Sequence, residues 1–349
     1  MTATSKNKIS TTHYRDGKKG LVKTAKKGTA FDTCATINDK LICCNVKVLK
    51  AVKNCPFDCS YCFLQDYLNT GTTSVVEDTG ALMAEVDAKL ASQPWRFFRI
   101  GTWELGDSLA LEYETGQAKA LIQAFSKLQN VVLELKTKSD CVDTILDLDH
   151  KGKTVIAWSL NSEEMIAKEE HKTASLEKRL VAMKKVVNAG YLIGLHFDPM
   201  IYYSDWKAGY TDLIHRVFAI VPISQIAWIS IGSMRFNTEQ KSLMQIHFPG
   251  SKLTSEEMIK GDDGKLRYPK PVRLEMYHHI YKLLLSYKAE ESHIYFCMER
   301  WDIWDTVMGF HPKSIGDLDY LFAKSFYHRF PNLEITEPVK DFYLEFQDT

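Results

Sequence analysis

No apolar run in this sequence approaches the roughly 20 residues that a bilayer-spanning helix needs; stretches such as "SQIAWISIG" stop well short of it. The basic N-terminus leads into no apolar segment of the signal-peptide kind, so the chain is expected to be cytoplasmic, with no membrane partner. Cysteine is scarce as well: eight thiols in 349 residues are too few for a disulfide scaffold. In a reducing compartment, clustered thiols more often bind metal or do chemistry. Net charge is absent, 44 basic residues balancing 44 acidic ones, which excludes a molecule that holds nucleic acid by its overall potential. No internal repeat or linker interrupts the pattern. What remains is 45% hydrophobic and 25% charged composition, enough for a full core. The charge is nonetheless uneven, because the first 30 residues hold eight Lys or Arg and a single acid. Residues 1–40 are therefore expected to form a mobile basic arm. It would either contact phosphate or remain a solvated terminus.

From residue 41 onward, short β-branched runs alternate with segments of helical period. Strands are expected at "LICCNVKVL", "RFFRIGT", "VVLELKTK", "TVIAWSLN", "LIGLHFD" and "AWISIGSM". Helices are expected near 77–92, 112–128, 141–149, 176–189 and 206–220, the fourth stopping at Gly190. Such alternation implies parallel strands joined by right-handed crossovers, in either a barrel or a doubly wound sheet. The polar stretch 237–270 reads as an insertion before a long helix near 271–287 and a short final strand "IYFCME".

Polar residues gather just after the strands: Glu104 and Asp107, Lys138 and Ser139, Ser159 and Asn161, His196 and Asp198, Ser233 and Arg235. Parallel α/β folds bind ligands at that end of the sheet. The stretch "NCPFDCSYCFLQ" follows the first strand and so belongs to the same face. Its Cys55, Cys59 and Cys62 are spaced C-x3-C-x2-C. Three thiolates can each hold one iron of a cubane cluster, leaving the fourth iron open. A Cys3His zinc site recruiting Cys43, Cys44 or His13 is the alternative.

In these motifs the chain resembles radical S-adenosylmethionine enzymes, and among them the spore photoproduct lyase family. The resemblance rests on "NCPFDCSYCFLQDYL", "FFRIGTWELGDSLAL", "LELKTKSD", "WSLN", "KRLVAMKKVVNAGYLIGLHFDPM" and "YFCME". It implies an α/β fold, a parallel (β/α)6 partial TIM barrel over 41–236, with the N-terminal arm before it and a C-terminal extension over 237–349 packing on it. It further implies that Cys55, Cys59 and Cys62 hold a [4Fe–4S] cluster whose free iron takes S-adenosylmethionine, with Tyr61 packing against cluster and adenine. Glu104 would bind the methionine ammonium, Lys138 its carboxylate, and Ser159 with Asn161 the ribose or carboxylate. The implied partners are a DNA or nucleotide substrate and an electron donor such as flavodoxin or ferredoxin.

One departure concerns the reaction. In the lyase family a cysteine after the second strand returns hydrogen to the product; here "GTWELGDS" holds none. Cys297 and Cys141 are substitute donors, with Tyr202 and Tyr203 as relays. His196, Asp198 and Arg235 are expected to contact substrate, structural ion or hydrogen-bond pairs being the alternative. Cys43 and Cys44 read as core, and Trp301, Trp304 and Met298 as packing for the C-terminal segment. The expected activity is cleavage of S-adenosylmethionine to a 5′-deoxyadenosyl radical that abstracts hydrogen from a DNA thymine lesion. The alternatives are radical chemistry on a small molecule or peptide, and a non-enzymatic zinc or iron–sulfur protein that contacts nucleic acid.

Overall fold

A computed structural model describes residues 18–34, 40–68 and 71–345. Its centre is a curled eight-stranded sheet forming a half-barrel. The strands are β1 (Phe31–Thr33), β2 (Lys47–Leu49), β3 (Phe98–Gly101), β4 (Val131–Thr137), β5 (Thr154–Ser159), β6 (Leu192–Met200), β7 (Ile226–Ser233) and β8 (His293–Phe296). They lie side by side in chain order. Every neighbouring pair from β2 to β8 is parallel, and β1 closes one edge antiparallel to β2. All eight residues of β7 and all six of β5 are buried, which is why these strands read as nearly continuous apolar runs: both faces of the sheet are covered.

The six expected strands supply β2 to β7, and the final short strand extends the sheet as β8. The barrel sheet therefore runs beyond residue 236 and also takes β1 from the segment expected to be an arm. Residues 21–24 are likewise ordered, pairing with 73–76. Several arm lysines are spent within the molecule: Lys26 on Glu85, Lys18 on the Phe57 carbonyl at 2.6 Å. Residues 1–17, the rest of the expected arm, lie outside the described residues.

Helices α1 (Thr79–Ser92), α2 (Gln117–Phe125), α3 (Leu176–Asn188) and α4 (Trp206–Phe218) connect the strands. In α3, Ser175 accepts from the Lys178 amide at the start, and Leu176, Leu180, Met183 and Val186 bury one stripe. Gly190, at φ +83°, ends it. The helix expected over 112–128 is broken by Gly116 at φ +63°. Glu112 then caps the second piece, accepting from the amides of Ala118 and Lys119 at 2.7 and 3.2 Å. Over 141–149 there is only a short turn at Asp143–Ile145, because local bonds such as Cys141 N to Ser139 Oγ (3.0 Å) compete with a helix. The expected first strand also shrinks to β2; Leu41–Val46 run irregularly, held by one bridge from Ile42 to Glu299.

The stretch 237–270 folds into a helix, Thr238–His247, and a hairpin whose strands, 259–260 and 266–267, build on Arg235–Phe236. After α5 (Lys270–Ser286) and β8, the chain packs against the bottom of the barrel through α6 (Ile315–Arg329). There Phe322 stacks on Phe97 at a centroid distance of 6.1 Å, Phe326 packs tilted against it at 5.0 Å, and both meet Trp228. Met298 and Trp304 are buried as expected of packing residues, whereas Trp301 is 53% exposed. Among the described residues, no helix is long and apolar enough to cross a membrane.

Candidate active site

The C-terminal ends of β2 to β8 open onto one cavity of about 420 Å³, within the size range of ligand pockets. Cys55, Cys59 and Cys62 line one part of its wall. Their loop is fixed mainly by main-chain bonds. Asn54, in the left-handed region at φ +71°, turns its side chain back to accept from the Cys55 amide at 2.8 Å. The Asn54 amide donates to Leu105 O at 2.7 Å, and a Cβ on Gly106 would meet Asn54 O at 2.7 Å, so a glycine is required for that approach. Asp58–Cys59 pairs antiparallel with Glu170–His171, and the Cys62 amide closes a turn onto Cys59 O at 3.1 Å. The helix at 238–247 clamps the loop from outside, Gln240 donating to Tyr61 O and His247 bonding Gln65, both at 2.9 Å. Sequence reasoning missed that clamp.

Burial pushes the Cys55 and Cys59 thiols up from their ordinary range, and the positive charge of a bound metal group would favour their thiolates. Among the described residues, no three His, Cys, Asp or Glu side chains converge on a single ion position. A cubane asks each thiolate to reach a different iron, and three cysteines on one wall fit that demand.

Glu104 is 5% exposed and lines the cavity, as do Lys138 and Ser159. Lys138 Nζ stands 5.8 Å from the Tyr61 ring centroid. The Tyr61 hydroxyl bonds Glu170, whose other oxygen takes Arg179 at 2.6 Å; Arg179 also donates to Ser159 O at 3.0 Å. This buried chain holds Tyr61 and the end of β5 in place. Asp107 is structural: it accepts from the amides of Leu109, Ala110 and Lys138 and from the Thr137 hydroxyl, pinning the loop after β3 to the end of β4. Asn161 corrects an expectation, since it does not line the cavity. Its side chain is used up by Pro199 O at 3.1 Å and the Tyr210 hydroxyl at 2.6 Å.

The opposite wall brings together residues far apart in sequence. The bridge from Ile42 to Glu299 lays Cys43 and Cys44 beside Cys297, and with Cys34 all four thiols line the cavity. Arg235 grips Asp198 through two nitrogens at 2.9 and 3.4 Å and reaches Cys297 Sγ at 3.3 Å. Gly232 makes room for the pair, because a Cβ there would meet Asp198 Oδ1 at 2.6 Å. Burial alone would raise the Asp198 carboxyl, but Arg235 and Lys136 outweigh it and hold it well below the usual range. Burial and the Asp198 charge push the Cys297 thiol up. Tyr202 is a second correction: it lies outside the cavity, 36% exposed, packed on Trp206 and Tyr268. Cys141 is also outside it.

His196 lines the cavity, but its Nε2 is 2.8 Å from Glu134 Oε1. Glu134 further accepts two bonds from Arg99 and one from the Trp103 indole, each at 2.9 Å. Burial and the Lys136 charge push His196 down to about 4, so it is a neutral ring in a satisfied network. This buried lattice of Arg99, Glu134 and His196 under the cavity floor was not foreseen; alternating charged residues along β4 were its one signal.

The spore photoproduct lyase family model matches residues 3–296. The chain belongs to the spore photoproduct lyase family. Its members are radical S-adenosylmethionine enzymes, and this chain's cofactors are a [4Fe–4S] cluster and S-adenosylmethionine. Spore photoproduct lyase of Bacillus subtilis is 26% identical over 250 residues, 70% of each chain. The enzyme of Clostridium acetobutylicum is 26% identical over 271 residues, 74% of this chain and 75% of its own. A solved spore photoproduct lyase variant with bound AdoMet and dinucleoside spore photoproduct superposes at a TM-score of 0.73 with 23% identity, covering 85% of this chain and 88% of its own. The stretch at the end of β3, "GTWELGDS", holds no cysteine and carries Trp103. A Cβ on Gly101 would meet that indole at 2.4 Å, so the glycine lets Trp103 fold back over β3.

Proposed function

We propose that this enzyme reverses a methylene-linked thymine dimer in DNA, working in the cytoplasm with a flavodoxin or ferredoxin as reductant. One arrangement carries the reading: three cluster-spaced thiols, Glu104, Lys138 and Ser159 line the same cavity as Cys297 and the Arg235–Asp198 pair. The cluster and S-adenosylmethionine together supply a 5′-deoxyadenosyl radical that takes hydrogen from the substrate.

Cys55, Cys59 and Cys62 would hold the cluster, and Tyr61, anchored by Glu170, would pack beside it. Glu104 would accept hydrogen bonds from the methionine ammonium, Lys138 would donate to its carboxylate, and Ser159 would serve the ribose. The Glu104 and Lys138 contacts would be charge-assisted. At the far wall Arg235, preset by Asp198, faces the substrate, and His196 acts as a neutral contact. Cys297 returns hydrogen to the product: its S–H bond breaks, a C–H bond forms, and the unpaired electron stays on sulfur. Burial and Asp198 keep that thiol protonated, the state such a donor needs.

The test is anaerobic reconstitution with iron and sulfide, followed by dithionite, S-adenosylmethionine and DNA carrying the dimer. Formation of 5′-deoxyadenosine together with restored thymines supports the proposal. Cofactor cleavage beside an untouched dimer refutes the substrate and leaves the radical machinery intact.

A further inference from the structure

Glu134 and Lys136 alternate along β4 on the face that looks into the barrel, and Lys138, one residue past the strand's end, continues their spacing. Glu134 belongs to the Arg99 lattice and Lys138 to the cofactor wall, which leaves Lys136 without a role so far. Its ammonium sits in the cavity, 4.6 Å from the centroid of the Trp103 ring. A second lysine enters from the hairpin at 259–267. Lys265 lines the same cavity, its Nζ 3.9 Å from Met298 Sδ. Among the described residues, neither ammonium has a carboxylate within ion-pair distance. Asp198 is gripped by Arg235, and Asp263, next to Lys265, is taken by Arg267 at 2.5 Å.

Lys136, Arg235 and Lys265 line the cavity together with Asp198, and of the three only Arg235 is paired with that carboxylate. Burial lowers the basicity of Lys136 and of Lys265, and Arg235 lowers that of Lys265 further. A buried ammonium with no carboxylate within ion-pair distance is costly, and an entering anion relieves that cost. The methionine carboxylate already has Lys138. We propose that the Lys136 and Lys265 ammonium groups form an anion subsite that takes a phosphodiester of the substrate. The inference rests on the reading of a DNA lesion as substrate. It gives the hairpin a purpose, carrying one half of the subsite to the other.

The experiment compares the holoenzyme, with S-adenosylmethionine present, on three lesions: the dinucleoside without phosphate, the dinucleotide with the bridging phosphate, and a tetranucleotide that adds flanking phosphates. A buried charge-assisted bond predicts a KM lower by about tenfold or more for the first lesion that carries the relevant phosphate. A gain at the dinucleotide identifies the bridging phosphate, and a gain only at the tetranucleotide identifies a flanking one. Lys136→Met should bring that KM ratio to about one, and so should Lys265→Met, a change at a hairpin tip that spares the barrel. Wild-type enzyme that treats all three lesions alike overturns the subsite while leaving the substrate reading intact. If no lesion is reversed, the substrate reading fails by itself. The subsite is then decided by Kd values for thymidine monophosphate and thymidine, which Lys136→Met equalises if the subsite exists and leaves apart if it does not.

Discussion

The two walls of the cavity are built in opposite ways. On the cofactor wall the lining side chains end a strand, as Ser159 does, or closely follow one, as Glu104 and Lys138 do, and the three thiols sit within eight residues of one another. Its lining carboxylates, Asp66, Glu104 and Asp107, outnumber the single cation Lys138. The far wall gathers Cys43, Asp198, Arg235, Lys265 and Cys297 from five separate segments, and there cations outnumber acids. A slightly acidic wall suits a sulfonium ligand with an ammonium group, and a basic wall suits an anionic substrate. The contrast teaches that the cluster-spaced thiols stand on local, main-chain-fixed scaffolding, whereas the wall proposed to meet the substrate is held by long-range pairs.

Breaking the cofactor wall should have the largest effect. Cys59→Ala should abolish the cluster's visible absorbance and all 5′-deoxyadenosine formation, while the folded state, followed by circular dichroism, survives. Next comes the lattice beneath the two walls. Glu134→Ala leaves Arg99 buried without its carboxylate and should cost about 3–5 kcal/mol in a denaturant titration. A loss below about 1 kcal/mol would mean that the lattice is dispensable.

Cys297→Ala sharpens the comparison, since it should separate the walls functionally. Cofactor cleavage should continue while dimer reversal falls by about tenfold or more, and deuterium from D2O should no longer enter the product; equal loss of both would remove Cys297 from the donor role. Glu104→Ala should keep the absorbance and weaken S-adenosylmethionine binding by about tenfold, the worth of one charge-assisted bond. The smallest effect concerns pH. His196 has its proton affinity pushed down from 6.5 to about 4, so the unfolded chain binds the proton more readily. Its contribution to stability is complete above pH 6.5 and is lost as the pH falls through about 4. His196→Gln should flatten the stability profile in that window, and an unchanged slope would assign the acid sensitivity elsewhere.

The sequence pattern foretold the six parallel strands β2 to β7, the helix α3 with its Gly190 stop, and the gathering of Cys55, Cys59, Cys62, Glu104, Lys138 and Ser159 at one end of the sheet, where they line one cavity. These follow from local rules: strand period, helix caps, and the geometry that places post-strand residues at one end of a parallel sheet. Asn161 obeyed the same placement rule and still turned away, because Tyr210 and Pro199 claimed its amide. Tyr202 was lost to packing against Trp206 and Tyr268 for a similar reason.

By itself, then, the sequence determined the fold class and the radical source, since both depend on spacings of a few residues. Only the tertiary structure decided the far wall. The pairing of Asp198 with Arg235, the approach of Cys43 and Cys44 to Cys297, and the delivery of Lys265 by a hairpin all join segments that are distant along the chain. Nothing local records such contacts. Burial then decides their chemistry, because whether a lysine, a thiol or a histidine keeps its proton depends on neighbours that only the closed barrel supplies.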